Sequence, residues 1–254
     1  MTIPILDFDE HSKEILKATD HIKPMADFPE IVIFIFSYKI LNSWKEKPGV
    51  KEIVTLGSAS GPDPIYQINI VGVNIGFKLA HVGAPLCVGT AEEVIALGAK
   101  KLVYFGSCGV LDSSILENTL IIPTKAIRDE GTSYHYQTPS LYNEMDVHSV
   151  NSIKKVFDRH QSNYIETTTW TTDAFYRETV DIMNKRKNQG AKVVEMEVAS
   201  LIAMTAFRGV KYAHFLYGAD NLDAEVWDKR NLSDQGLTYA DYYMKLAIEI
   251  GMHL

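Results

Sequence analysis

Short, continuously apolar runs recur along this chain, and each leads into a segment with helical spacing. PEIVIFIF (29–36), KKLVYFGSCG (100–109) and VKYAHFLYG (210–218) have no polar alternation of the kind a half-wet strand shows. Runs of this length and composition suit strands buried on both faces. Burying both faces needs helices above and below, and joining parallel strands needs crossovers. The pattern therefore predicts a single α/β domain with a largely parallel or mixed sheet.

The remaining segments fit that frame. PEIVIFIF flows into a helix through SYKILNSW, and IYQINIVGVNIGFKLAHVG reads as two strands joined by a turn at Gly72. GTAEEVIALGA (89–99) reads as a helix capped by Thr90, with acids in its first turn and Gly98 at its end. NTLIIPTKAI reads as a strand, SVNSIKKVFDRHQ as a helix, and YIETTTWTTDAFY as a strand running into a loop. TVDIMNKRKNQG reads as a helix closed by Gly190, and VVEMEVASLIAM as a short strand turning into a helix that ends at Arg208-Gly209. TYADYYMKLAIEIGMHL reads as a closing helix.

Composition excludes several function classes. The net charge is −7 and no strongly basic stretch occurs, which argues against a nucleic-acid partner. The two cysteines, Cys87 and Cys108, form no CxxC pair, so zinc and thioredoxin-type chemistry lack support. The opening MTIPILDFDEHSKEILK carries acids where a secretion signal is basic, and no run approaches the ~20 apolar residues of a membrane span. A cytoplasmic enzyme or binding protein, with no membrane partner, is the expected class.

In open α/β sheets ligands collect beyond the carboxyl ends of the strands. Three strand ends and one helix start meet that description. GSCG (106–109) reads either as a tight turn or as backbone that a ligand approaches closely, with N–H groups able to form an anion nest. Within it Cys108 lacks a paired histidine and reads as a small buried cysteine rather than a nucleophile. In TTDAFYRE (171–178), Phe175 and Tyr176 stand where a loop is ordinarily polar, so one can stack on a planar ligand or fold back onto the core. In YGADNLD (217–223), Asp220 and Asp223 follow a buried strand, and Asp220 is nearer the strand end. A carboxyl there serves as a proton donor in a cleft or as a helix cap. Glu195-Met196-Glu197 opens a helix, where acids gain ~0.3–1 kcal/mol from the dipole without any function. AIRDEGTSYHY (126–136), with Arg128, Asp129, Glu130, His135 and Tyr136, reads as a pocket wall or as a salt-bridged loop.

Taken in order, FGSCGVL, TTDAFY, VVEMEVASL and YGADNLD resemble the nucleoside phosphorylase superfamily, which holds hexameric-type purine nucleoside phosphorylases, uridine phosphorylases and related nucleosidases. The resemblance covers roughly residues 30–250. It implies a single-domain three-layer sandwich with a central mixed, partly barrel-like sheet flanked by helices. The domain would span 1–254, with 1–28 as an N-terminal extension packed on it. By motif, the resemblance implies that Glu197 binds the ribose hydroxyls and Met196 packs against the sugar. Val194 and Glu195 would line the base and ribose side, and Phe175 would stack on the base. Ser107, Cys108 and Gly109 would border the base and the anion or water site, and Asp220 would be the general acid toward the base. It implies no metal and no organic cofactor, phosphate as a possible co-substrate, and a homo-oligomer, either a dimer or a trimer of dimers.

The chemistry agrees with those roles. Breaking an N-glycosidic bond builds positive charge on the sugar and negative charge on the leaving base, so a protonated carboxyl beside the base lowers the barrier. The resemblance implies a purine rather than a pyrimidine, since Asp220 matches the family's purine-type acid and the segment between Phe175 and Glu195 is too short for the Gln/Arg-bearing stretch with which uridine phosphorylases read uracil, although RDEGTSYHY is similar to members named uridine phosphorylases.

Three departures concern phosphate. Where the family carries a GDPxR loop, the chain reads FIFSYKIL. Where it carries an arginine before the glycine-rich motif, Tyr104 stands. TLGSASGPDPIY has no counterpart of the arginine usually lent by a neighbouring subunit. Phosphate normally demands such bidentate partners. Lys39, Arg128, His81 and the backbone of HVGAP or GSASG are the candidate substitutes. The expected activity is purine nucleoside phosphorolysis giving free base and ribose 1-phosphate. The alternatives are a phosphate-independent nucleosidase, uridine phosphorylase-type specificity, or a non-catalytic nucleoside binder.

Overall fold

The computed structural model describes residues 3–254. In chain order its elements are α1 (Ala18–His21), β1 (Ile31–Ile35), α2 (Tyr38–Lys45), β2 (Lys51–Ser58), β3 (Gly61–Ile70), β4 (Val73–Leu79) and α3 (Ala84–Leu97). Next come β5 (Lys101–Val110), β6 (Leu120–Asp129), β7 (Tyr142–Glu144), α4 (Val147–Arg159), β8 (Tyr164–Thr172) and α5 (Val180–Asn188). β9 (Ala191–Glu195), α6 (Val198–Arg208), β10 (Lys211–Asn221) and α7 (Ala240–His253) complete the chain.

One mixed sheet organises the molecule. Its strands run in the order β10-β6-β8-β9-β5-β1-β4-β3-β2, and β10 also pairs with β5. That extra pairing closes five strands into a barrel and leaves β1-β4-β3-β2 as a wing on β5. The inner wing strands are parallel, β1 to both β5 and β4. The outer ones form antiparallel hairpins. Closure removes the unpaired edges that a five-stranded open sheet would present.

Alternation on the central strands shows why both faces are covered. Phe105 and Phe215 stack on each other and, with Tyr217, pack against Tyr243 of α7. The intervening residues, Tyr104 and His214, point the other way and join Phe34 and Phe36 in a second aromatic layer. All five residues of β1 are buried, as a two-faced strand requires.

The expected three-layer α/β fold with a partly barrel-like sheet is what forms. Four local expectations change. α3 begins at Ala84 rather than near Gly89, because Gly83 supplies the N-cap and Pro85 sits in the first turn, where its missing N–H costs nothing. Thr90 therefore lies inside the helix and bonds the Cys87 carbonyl instead of capping. GSCG is not a turn: β5 continues extended through Val110, paired with both β10 and β9. Residues 51–64, left without an element by the sequence reading, form β2 and the start of β3.

Of the expected N-terminal segment 1–28, residues 1 and 2 lie outside the described residues. The rest runs beside α3: Met25 N–H donates to the Leu97 carbonyl, and Arg208 bridges Glu14 and Glu92 at 2.7 Å each.

Candidate active site

A cavity of about 790 Å³ opens where β5, β9 and β10 end. Ser107, Cys108 and Gly109 of β5, Val194 and Glu195 of β9, Met196, and Asp220 of β10 all face it. The segment after β8 adds Phe175, Tyr176 and Glu178, and the segment after β10 adds Leu222, Glu225 and Trp227. Eight of the nine residues expected to touch substrate therefore share one cavity wall. The ninth, Glu197, is buried and is not among the lining residues. A groove of similar size, about 820 Å³, lies among α4, α6 and the end of α7 and contains none of them.

The glycines of GSCG allow close packing rather than an anion nest. A Cβ on Gly109 would stand 2.5 Å from Leu222 Cδ1 and 3.0 Å from Val194 Cγ1. A Cβ on Gly106 would stand 2.6 Å from that of Phe36. Cys108 is buried and reaches the Tyr217 carbonyl at 3.6 Å. Burial, and then the charges of Glu195 and Asp220, push its thiol well above the ordinary range, so it is no thiolate nucleophile.

The two glutamates of Glu195-Met196-Glu197 divide their tasks. Glu195 Oε2 accepts the backbone N–H groups of Glu197 at 2.6 Å and Val198 at 2.7 Å, while Oε1 accepts the hydroxyls of Thr171 at 2.5 Å and Thr169 at 3.2 Å. Its acceptor capacity is filled by the protein, and it starts α6. Glu197 occupies the N-cap position of α6 but makes no capping bond. Its Oε1 accepts the N–H of Gly83 at 2.6 Å, at the start of α3. Burial, and secondarily the charge of Glu195, push the Glu197 carboxyl up to about 8. Burial pushes Glu195 up to about 7 against its hydrogen bonds. Met196 is half-buried between them and faces the cavity.

Asp220 sits at the end of β10, and Trp227 Nε1 donates to its Oδ2 at 2.7 Å. Asp223, its rival in the sequence, is engaged by Ser113 and Lys187 and is structural. Phe175 is half-exposed on a single 3₁₀ turn and touches Tyr176 with ring centroids 4.1 Å apart. It does not fold back onto the core and lines the cavity instead.

Glu178 was missed by the sequence reading. It follows the same turn, faces the cavity, and its side chain forms no hydrogen bond with the protein among the described residues. Burial, and then the charge of Asp220, push its carboxyl up to about 7. A single acid in a polar loop carries no sequence signal; tertiary burial beside a second acid is what marks it.

The family profile described as the phosphorylase superfamily matches residues 45–244. The chain belongs to the phosphorylase superfamily. A guanosine phosphorylase from Halorubrum lacusprofundi is 22% identical over 192 residues, covering 76% of this chain and 69% of that enzyme. An uncharacterized protein of Acanthamoeba polyphaga mimivirus is 28% identical over 155 residues, and that match spans only 57% of each chain. Among solved structures, uridine phosphorylase from Vibrio fischeri superposes with a TM-score of 0.73 at 16% identity, covering 93% of this chain and 95% of that one.

Within this superfamily member the region expected to hold phosphate is built differently. β1 passes directly into α2, with Ser37 as N-cap accepting the N–H of Ile40, so no loop intervenes. Phe36 covers Gly106 and stacks on His214 with centroids 5.9 Å apart. Tyr104 is fully buried against Phe34.

The three cationic substitutes are committed elsewhere. Lys39 Nζ donates to the Ser233 carbonyl at 2.7 Å. His81 lies 3.3 Å from Asp63, which also holds the buried Lys78 at 2.8 Å. Arg128 spends its guanidinium on Ser133, Gln137, Thr138 and Ser140. Asp129 binds Trp170 and Arg186, and Glu130 binds the N–H of Ser133. Residues 126–129 of the AIRDEGTSYHY segment thus end β6, their charged side chains are spent on the turn that follows and on Trp170 and Arg186, and among the described residues none of 126–136 lines the cavity. Among the described residues no lysine, arginine or histidine lines the cavity; the charged groups on it are Glu178, Glu195, Asp220 and Glu225.

Proposed function

We propose that this chain cleaves the N-glycosidic bond of a purine ribonucleoside, with water as the acceptor of the ribosyl group. The observation that carries this reading is a cavity wall that joins the Phe175 ring, the Asp220 carboxyl and the buried Glu195 carboxyl, with no cationic side chain on it among the described residues. Phe175 stacks on the base, and Met196 packs on the sugar. Glu197 has one oxygen engaged by Gly83, and its carboxyl accepts a ribose hydroxyl. Asp220 protonates the base as the C–N bond breaks, so the bonding electron pair leaves on a neutral base. The carboxyl oxygens around the sugar carry partial negative charge that stabilises the positive charge developing on it. A phosphate dianion needs cationic, bidentate partners, and the cavity wall offers none among the described residues. The nucleophile consistent with such a wall is neutral water, attacking C1′ and releasing a proton as ribose forms.

Phosphorolysis is the second reading, favoured by the guanosine phosphorylase named among the relatives. It requires a cation from outside the single chain, such as one lent by a second copy. Incubation with purine nucleosides, with and without phosphate, separates the two. Water as acceptor gives free base and ribose at the same rate in both. Phosphate as acceptor gives ribose 1-phosphate and no base release in its absence.

A further inference from the structure

Asp63 of β3 and Lys78 of β4 form an ion pair with almost no exposure: Nζ lies 2.8 Å from Oδ2, and the side chains are 4% and 0% exposed. Replacing such a pair by apolar groups of similar volume is often neutral or stabilising, so stability alone does not account for it. Its position does. Lys78 Nζ also donates to the carbonyl of Leu79, the last residue of β4, at 2.9 Å. His81 Nε2 stands 3.3 Å from the same Asp63 oxygen. Two residues later Gly83, at φ +96°, donates its N–H to Glu197 Oε1 at 2.6 Å. Val82, between them, lines the cavity. The connection from β4 to α3 therefore passes along the cavity wall held by Asp63 at His81 and joined to Glu197 at Gly83.

We propose that Asp63 is a positioning residue: through Lys78 and His81 it fixes residues 79–83, so that the Gly83 N–H holds the Glu197 carboxyl for the ribose hydroxyls. This rests on the ribose-binding role given to Glu197 above. Glu197 makes no capping bond to α6, so the N–H of Gly83 is a contact that sets the rotation of its carboxyl. Gly83 keeps that direction only while the backbone before it stays in place. A displacement of ~1 Å at a substrate-orienting group can cost on the order of 10² in rate. Asp63, Lys78 and His81 do not line the cavity, so their influence on substrate passes through the backbone of this connection.

The test is a double-mutant cycle in the whole chain, with kcat and KM measured on adenosine and 2′-deoxyadenosine for wild type, His81→Leu, Glu197→Ala and both together. His81→Leu removes one hold on the connection and leaves the buried ion pair intact. It is expected to lower kcat/KM for adenosine about five- to tenfold, mainly through KM, and to leave 2′-deoxyadenosine within about twofold. In the Glu197→Ala background the same change should matter less than about twofold, because the group being positioned is gone. The paired replacement Asp63→Leu with Lys78→Met removes both buried charges and should reproduce the adenosine-specific loss; if that variant fails to fold, the His81 cycle decides alone. Equal losses on the two sugars, effects that multiply with Glu197→Ala, or wild-type selectivity in His81→Leu overturn the proposal while leaving glycosidic cleavage standing. If wild type cleaves no nucleoside, the function reading fails instead, and calorimetric binding of the two nucleosides completes the same cycle. A loss of adenosine affinity in His81→Leu that vanishes beside Glu197→Ala supports the positioning role; additive losses, or no binding by wild type, contradict it.

Discussion

Glu195 and Glu197 stand two residues apart and hold different helices: the first accepts the N–H of the second and starts α6, while the second turns away to the N–H of Gly83 at the start of α3. The junction thereby ties β9, α6 and α3 together at the cavity's rim. It also buries two acids side by side, which is costly unless each is hydrogen-bonded.

Replacing Glu195 by alanine strands two backbone N–H groups and two threonine hydroxyls in a buried site. The expected loss is roughly 3 kcal/mol or more, a fall of about 6–12 °C in melting temperature for a chain of this size. A melting temperature within two degrees of wild type, by calorimetry, contradicts the capping role.

For Glu197 the expected effect divides between substrate and pH. Glu197→Gln should lower kcat/KM for ribonucleosides about tenfold while sparing 2′-deoxyribonucleosides. In the unfolded chain this acid titrates near 4.5, but in the fold it is raised to about 8. The folded state therefore binds the extra proton, so its contribution to stability is full below pH 4.5 and is lost as pH rises toward 8. The glutamine variant escapes that loss. Its melting temperature relative to wild type should climb by roughly a few degrees between pH 5 and pH 8; a gap that stays constant with pH argues against a buried, proton-holding Glu197.

Much of this site was legible from residue order. The central strands are recognisable because both faces of β1 and β5 are buried, which leaves no polar alternation to confuse with a loop. The EME junction and Asp220 were visible as acids at the ends of apolar runs. The helix start at Ala84 was not, because APLCV is as apolar as a strand and only Pro85 marks a first turn. β2 escaped notice because most of it is exposed, so its residues carry no burial pattern. Glu178 and the aromatic layer of Phe36, Tyr104 and His214 depend on contacts between distant segments, which no local pattern encodes.

Trp227 and Asp220 form a donor–acceptor pair at the cavity mouth. Asp220→Asn should reduce kcat by ~10²-fold or more. Trp227→Phe, which frees the acid to rotate, should cost about tenfold in kcat with little change in KM. Trp227 is exposed, whereas Trp44 and Trp170 are buried, so nucleoside binding should change tryptophan emission in wild type and not in Trp227→Phe. Unchanged turnover in either variant removes that residue from the mechanism.

Arg128 tests the other end of the account. Arg128→Lys loses most of the four contacts that hold residues 133–140, so a destabilisation of about 2 kcal/mol, or 4–8 °C, is expected. Its rate of base release should show no new response to phosphate. A variant with wild-type stability and an altered phosphate dependence would return Arg128 to the site.

The most direct measurement is chromatographic detection of free base from adenosine, inosine, guanosine and uridine, with and without phosphate, with Asp220→Asn as control. The account predicts release of a purine base, together with ribose, at a rate independent of phosphate and lost in the variant. No base from any nucleoside, or release only when phosphate is present, would contradict it.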